Sequence, residues 1–398
     1  MPGPLDGVRV LDLTTMVSGP LATMMLADQG ADVIKIEPPQ GELMRKVGVN
    51  NRGMTASFLC NNRGKRSLAV DIKSADGLGV VKKLAATADV LVQNFRPGAI
   101  ERMGLGEDVV RALRPDIIFV SISGFGESGP YAQQRVYDPV IQALSGLADI
   151  QTDRTTGQPR MVRTVIPDKT TSVTAAQAIT AALFARERGA GGQHVRLAML
   201  DVMVAYLWPE GSSGLTFVGK EVDPTRGQLG LDLIFQTKDR HITAGAVTDA
   251  EWVGLCQALE RPDLLDDPRF KTAGDRVRNV AARREITSAE IAKWPSEEIL
   301  ARLRDHDVPA APILTRVELL DDAQVVENEI ITLRDDPELG TVRQPRPAAR
   351  FDQTPSDFRS TAPFLGADNE SLLTEIGYST EDVARLTDAG ILHHRPPE

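Results

Sequence analysis

The chain has 398 residues, of which 42% are hydrophobic and 25% charged, with a formal net charge of −10. That length exceeds what one core supports and predicts two domains, and the acidic balance excludes a nucleic-acid binder, which needs a basic face to release counterions. Cys60 and Cys256 are the only cysteines, too few for a disulfide scaffold or a cysteine zinc site.

Along the first third, short apolar runs alternate with helix-forming stretches. Val8 to Leu13 reads as a strand, Leu21 to Gln29 as a helix opened by Pro20 and closed by Gly30, and Asp32 to Ile36 as a second strand. The pattern repeats with Ser67 to Ile72, Gly77 to Ala86 and Val90 to Gln93, then with the helix Asp108 to Leu113 and the strand Ile117 to Ile122. Such alternation predicts an α/β fold, a doubly wound, Rossmann-like parallel sheet with helices on both faces. Thr152 to Arg163 is polar and predicts a loop. Asp168 to Arg188 predicts a long helix ended by Gly189-Ala190-Gly191-Gly192. Leu231 to Gln236 and Ile242 to Ala246 read as strands followed by helices, a smaller α+β domain, and the proline- and arginine-rich Thr341 to Pro355 reads as an extended passage. No apolar run approaches the roughly 20 residues of a membrane span, and Met1 to Asp6 lacks the basic and apolar regions of a secretion signal; both predict a cytoplasmic protein that engages no membrane.

Gly124-Phe125-Gly126-Glu127-Ser128-Gly129 matches the dinucleotide fingerprint, but Pro130 follows and no amphipathic helix opens there to receive a pyrophosphate. The loop is expected to be a mobile glycine-rich segment. His194, His241, His306, His393 and His394 lack ligand spacing, so no metal site is predicted, and no G-x-S-x-G elbow is present. Asp168, after Pro167 at the start of the long helix, is a candidate nucleophile: a helix N-terminus would offer it backbone N–H groups and keep it ionised. A plain N-cap aspartate has the same local chemistry. Arg63-Gly64-Lys65-Arg66, Lys73, Arg96, Arg102 and Arg135 recur at turns after strands, as solvated charges or as a phosphate-binding face.

The opening Pro4-Leu5-Asp6-Gly7-Val8-Arg9-Val10-Leu11-Asp12-Leu13 belongs to a longer pattern. It continues with Gly19-Pro20, Leu26-Ala27-Asp28, Gly30 to Pro38, Asn62 to Ser67, Asp89 to Gly98, Ser121 to Gly126 and Gly129-Pro130. Over residues 4 to about 205 the chain resembles the class III coenzyme A transferases, the group of formyl-CoA and carnitine CoA-transferases. The likeness returns at Asp267 to Phe270, Val308 to Pro312 and Pro363 to Gly366. The resemblance implies a large CoA-binding domain of residues 1–205 completed by 330–398, and a small domain of 224–318. Residues 206–223 and 319–329 would link them, in an interlocked homodimer. It implies CoA and acyl-CoA as substrates, with no permanently bound cofactor, carboxylic acids as the other partners, and Asp168 as nucleophile. The family's CoA contacts would fall on Met16, Val17, Val70, Lys73, Asn94, Phe95, Arg102, Met103 and Arg135, with Tyr137, Gly124 and Gly126 orienting the acyl part. Pro38 stands where the relative has an arginine beside the adenine. The α-methylacyl-CoA racemases share the fold, but their histidine falls on Tyr137 and their glutamate near Thr248, neither with a suitable pKa. A transferase is therefore expected, against a racemase or a non-catalytic CoA-binding homologue.

Overall fold

The structure is a computed structural model that describes residues 2–153, 156–222 and 233–394. The chain divides into two compact units, Met1–Glu210 with Glu329–Glu398, and Gly211–Asn328.

The first unit is built on six parallel strands, β1 (Arg9–Asp12), β2 (Asp32–Glu37), β3 (Arg66–Ala69), β4 (Val90–Gln93), β5 (Ile118–Ser123) and β6 (His194–Ala198). Their order across the sheet is β3-β2-β1-β4-β5-β6, with Leu11 opposite both Ile34 and Leu91. Strands this apolar are stable only if both faces are covered, and they are. On one face Leu11, Ile34, Leu68, Leu91 and Phe119 pack with Val80 and Leu84 of α2 (Ala75–Ala85) and Val110 of α3 (Glu107–Leu113). The same cluster takes in Leu372 and Leu386 from the C-terminal helices Asn369–Glu375 and Thr380–Asp388. On the other face Val10, Val33, Val92 and Ile118 meet Ala22 and Leu26 of α1 (Ser18–Asp28) and Ala175, Ile179 and Ala182 of a 20-residue helix, Ile166–Ala185. Truncating one of these fully buried leucines to alanine costs about 2–5 kcal/mol.

The order reverses direction at β1, which lies between β2 and β4, and the loops after the neighbouring carboxyl ends of β1 and β4 splay apart. Such a switch point leaves a crevice where ligands of open α/β sheets bind. Here it falls between the loop after β1 and the loop after β4.

Local differences from the sequence reading have identifiable causes. Helix α1 begins at Ser18, because proline's missing N–H and fixed φ are tolerated in the first turn. The segment Gly340–Pro345 pairs antiparallel with Ile331–Asp336 instead of merely running extended. Asp336 Oδ1 accepts the N–H groups of Glu338 and Leu339 and so closes the turn of that hairpin. After Gly129 the chain forms turns and reaches its next helix only at Asp138.

In the second unit, strands Ile234–Gln236, His241–Ala244 and Ala310–Pro312 form an antiparallel sheet. Phe235, Trp252, Phe270, Ile299 and Leu303 fill its core with flanking helices. Leu231, at the start of the expected strand, and Pro224, near the expected start of the small domain, lie outside the described residues.

Candidate active site

Loops from four strand ends enclose a cavity of about 320 Å³ at the switch point, all within the first unit. Thr15, Met16 and Ser18 come from the β1 end, Asn94 to Pro97 from the β4 end, Ser123 and Gly124 from β5, and Met199 follows β6. Asn94 spans the crevice, accepting the Thr15 N–H at 2.9 Å and donating to the Thr15 carbonyl at 2.8 Å. Gly124 permits a close approach, since a Cβ there would lie 2.4 Å from Val136 Cγ1. Gly124→Ala is expected to push the Arg135–Tyr137 segment outward and lower turnover about tenfold or more, read from steady-state kinetics.

Asp168 lines the same cavity. It sits in the first turn of the helix Ile166–Ala185, designated α5 after α4 (Asp138–Leu144), two residues inside its start and not at the N-cap. Helix α5 has no side-chain cap at Val165, and Pro167 occupies the first turn, where its missing N–H costs nothing. Ser172 Oγ donates to the Asp168 carbonyl and lies 2.8 Å from the Ser18 carbonyl as well, tying α5 to α1.

The electrostatics of Asp168 differ from the expectation of a helix-stabilised, ordinary carboxylate. Its pKa is raised to about 6, first by burial and second by the negative charge of Asp138, partly offset by hydrogen bonds from the Ser18 side chain and backbone. Asp138 is almost wholly buried; its Oδ2 accepts the Asp168 N–H at 3.2 Å, and its Oδ1 accepts from Gln142 Nε2 at 2.6 Å. Two carboxylates in one partly desolvated place repel, and this adds to the effect of burial on Asp168. Asp168 is therefore ionised at neutral pH but poorly solvated, which is how a carboxylate becomes a nucleophile.

The structure brings together Met16, Asn94, Phe95, Arg135, Tyr137 and Gly124 around Asp168. Gly126 lines a neighbouring cavity of about 520 Å³ that shares Phe95, Arg96, Pro97, Ile122 and Ser123. Val17, Lys73, Arg102 and Met103 lie outside the Asp168 cavity; Met103 and Phe95 both pack against the edge of the core. Val70 departs from expectation. Its side chain is fully buried in that core and its backbone bridges to Leu392, so only its main chain can meet a ligand.

Lys73, Arg96, Arg102 and Arg135 are exposed and, among the described residues, have no ion pair or side-chain hydrogen bond. Other arginines nearer the core are paired, as Arg9 with Asp32, Arg66 with Glu375 and Arg111 with Glu107. Each of the four follows the carboxyl end of a strand. Arg96 and Arg135 line the Asp168 cavity, and unpaired cations there are suited to an anionic ligand.

In the neighbouring cavity His194 lies 2.6 Å from Glu107 Oε2 and 2.8 Å from Ser121 Oγ, which also accepts from Gln93 Nε2. This chain ties β4, β5, β6 and α3 together, and it places His194 as a satisfied structural histidine.

Sequence reasoning missed Asp138, Ser18 and a set of fully buried ions beneath the β1 loop. Asp12 and Lys65 pair at 2.8 Å, and Lys35 and Glu42 at 2.9 Å, all four with no side-chain exposure. The signal was present: Asp12, Lys35 and Glu37 interrupt otherwise apolar strands. Among the described residues no group of three or more His, Cys, Asp or Glu side chains could hold a metal ion. No helix among them is long and apolar enough to cross a membrane.

With this geometry in place, residues 5–369 match the model of CoA-transferase family III. The chain belongs to that family. A mouse succinyl-CoA:glutarate CoA-transferase is 33% identical, the match covering 98% of this chain and 90% of that protein. A formyl-CoA:oxalate CoA-transferase of Streptomyces avermitilis is 31% identical, covering 98% and 99%. A crystal structure of a CAIB/BAIF family protein from Brucella suis superposes with a TM-score of 0.82 at 30% identity, covering 94% of this chain and 100% of that one. The protein is thus an enzyme that transfers CoA, on a mixed α/β fold with a parallel central sheet.

Proposed function

We propose that the enzyme moves CoA from an acyl-CoA donor to a carboxylic acid through covalent intermediates on Asp168. The observation that carries this reading is an ionised, poorly solvated carboxylate in a cavity that the strand-end loops build at the switch point. In the first step an Asp168 oxygen attacks the donor thioester, giving an aspartyl–acyl anhydride and CoA thiolate. The thiolate attacks the Asp168 carbonyl, forming an aspartyl–CoA thioester and releasing the donor acid. The acceptor carboxylate then attacks that thioester, and the freed thiolate takes the acceptor acyl group, restoring the carboxylate. One thioester is consumed and one is made, so the scheme uses no ATP.

Met16, Val17, Asn94, Phe95 and Met103 would contact CoA, with Val70 contributing its backbone, while Lys73, Arg102 and Arg135 meet its phosphates. Tyr137, Gly124 and Gly126 would orient the acyl group. Each charge-assisted phosphate contact contributes about 1.5–3 kcal/mol, so Arg102→Ala and Arg135→Ala should each weaken acyl-CoA binding about tenfold to a hundredfold. The KM for the acceptor acid should hardly move. Unchanged acyl-CoA binding in both variants would remove the proposed phosphate face.

The two transferases named above carry glutarate and oxalate in their names, and Arg96, which lines the Asp168 cavity, would accommodate a second carboxylate, so we take dicarboxylates as the first substrates to test. A mass-spectrometric screen of acyl-CoA donors against acid acceptors identifies the pair. The racemase reading finds no support, since Thr248 accepts the Glu251 N–H as a helix cap and Tyr137 is an exposed phenol. No α-proton exchange is expected in deuterated water.

The interlocked homodimer is part of this proposal. Val173 and Phe184, three turns apart on α5, and Tyr206 of the helix Met199–Leu207 are large apolar side chains left exposed, which a second copy would cover. Dilution to nanomolar concentration should leave a dimer, and a folded monomer in sedimentation would contradict it. A cytoplasmic location fits the free thiols Cys60 and Cys256.

The acid side of the pH profile follows from the Asp168 environment. Because only the carboxylate attacks, kcat/KM should fall about tenfold per pH unit below about 6. Asp138→Asn removes the neighbouring negative charge, so the acid limb should move to lower pH. A limb that stays in place would mean that Asp138 does not act on Asp168.

A further inference from the structure

The loop between β1 and α1 has no regular structure, yet side chains from other elements hold most of its polar backbone. Thr14 N–H donates to Asp12 Oδ1, Thr15 is bracketed by Asn94, and Met16 N–H donates to Glu42 Oε2 at 2.7 Å. Lys35 Nζ donates to the Thr14 carbonyl at 2.9 Å and pairs with Glu42 Oε1 at 2.9 Å. Met16 itself has φ of +70°, a conformation that an L side chain keeps only when its surroundings impose it. The loop then presents Met16 and Ser18 to the Asp168 cavity.

Neither Lys35 nor Glu42 reaches that cavity, and both are fully buried. Buried ion pairs are poor sources of stability, because desolvation offsets the attraction and apolar residues of similar volume often do as well. Nor is the pair needed to neutralise its neighbours. With both removed, Asp12 keeps Lys65 and Glu37 keeps Arg45. What the pair alone supplies is a donor for the Thr14 carbonyl and an acceptor for the Met16 amide, on either side of the turn that delivers Ser18.

We infer that Lys35 and Glu42 are positioning residues for the transfer reaction, clamping the β1–α1 loop so that Ser18 stays on the Asp168 carboxylate and Met16 stays on the cavity wall. The inference rests on the reading of Asp168 as nucleophile. Around that carboxylate stand Asp138 from α4, which disfavours its charge, and Ser18 from α1, which favours it. Arg135 and Tyr137 line the same cavity, while Lys169 is turned away to Thr164 Oγ1. A loosened loop withdraws Ser18 and leaves Asp138, so Asp168 becomes harder to ionise.

The test uses the full-length enzyme and two paired variants. Lys35→Met/Glu42→Leu removes the pair at similar volume, while Lys35→Met/Glu42→Gln restores an oxygen for the Met16 amide without charge. The first should lower kcat about tenfold to a hundredfold and move the acid limb to higher pH. The second should recover most of both. A pair that merely supported the fold would change the melting temperature without moving the acid limb. Wild-type kcat and an unmoved limb in a folded Lys35→Met/Glu42→Leu enzyme would overturn the inference. Should that variant not fold, amide exchange at Met16 in the wild-type enzyme decides: slow exchange in this loop supports the clamp, and exchange at the rate of an open loop overturns it. Wild-type enzyme that transfers CoA between no donor and acceptor defeats the Asp168 reading, while exchange at Met16 still reports on the clamp.

Discussion

Asp168→Asn should abolish CoA transfer and at the same time make the protein more stable. The amide cannot form an anhydride, so turnover should drop by at least about a thousandfold, to the level of covalent-nucleophile deletions in other enzymes. The stability gain follows from linkage. The Asp168 pKa is raised from 3.8 to about 6, so the folded protein binds this proton more tightly than the unfolded chain does. The folded state is then penalised for the carboxylate as pH rises from about 4 to about 6, and the full penalty applies above that. Two pKa units correspond to about 3 kcal/mol, and because the residue keeps some contact with water a gain of about 1–2 kcal/mol is the realistic expectation. Urea midpoints at pH near 7.5 should show the variant more stable, and the difference should vanish near pH 4. An inactive variant with no pH-dependent gain would mean that the carboxylate is not strained in the resting enzyme.

Lys65→Met should be among the most damaging single substitutions outside the cavity. Lys65 Nζ lies 2.8 Å from Asp12 Oδ2, the Pro20 carbonyl and Asn62 Oδ1, with no exposure to water. Burial depresses its pKa to about 8, with Asp12 working in the opposite direction, while Lys65 and Lys35 hold the Asp12 carboxyl well below its ordinary value. Removing the lysine leaves Asp12 with less compensation in a dry site, which costs about 3–5 kcal/mol. The double substitution Asp12→Asn/Lys65→Met removes both charges and should cost less than the single one. Denaturation of wild type, both singles and the double gives the coupling directly. A Lys65→Met midpoint close to wild type would mean that water reaches this site.

Much of the sheet was legible because parallel strands buried on both faces read as short apolar runs. Val90 to Gln93 was bounded correctly, and Asp32 to Ile36 is one residue short of the strand. Asp168 stood out through its place after Pro167 ahead of a long small-residue helix. Its raised pKa was not legible, since the cause is Asp138, 30 residues away in sequence, and burial, which no local pattern encodes. Val70 read as a strand residue near CoA, yet the chain around Leu392 covers it, and that contact forms only in three dimensions. The buried ions interrupt apolar strands visibly, but their partners are not legible: Lys35 in Asp32-Val33-Ile34-Lys35-Ile36-Glu37 reaches the Thr14 carbonyl, a contact that forms only in three dimensions.

The central claim is that CoA passes through a thioester on Asp168. The most direct measurement is mass spectrometry of the enzyme incubated with an acyl-CoA donor, without acceptor, then quenched and digested. The account predicts a CoA adduct, formed with loss of water, on the peptide carrying Asp168, converted by hydroxylamine to a hydroxamate and absent in Asp168→Asn. An adduct on another carboxylate, or transfer that proceeds with no covalent CoA on the protein, would contradict it.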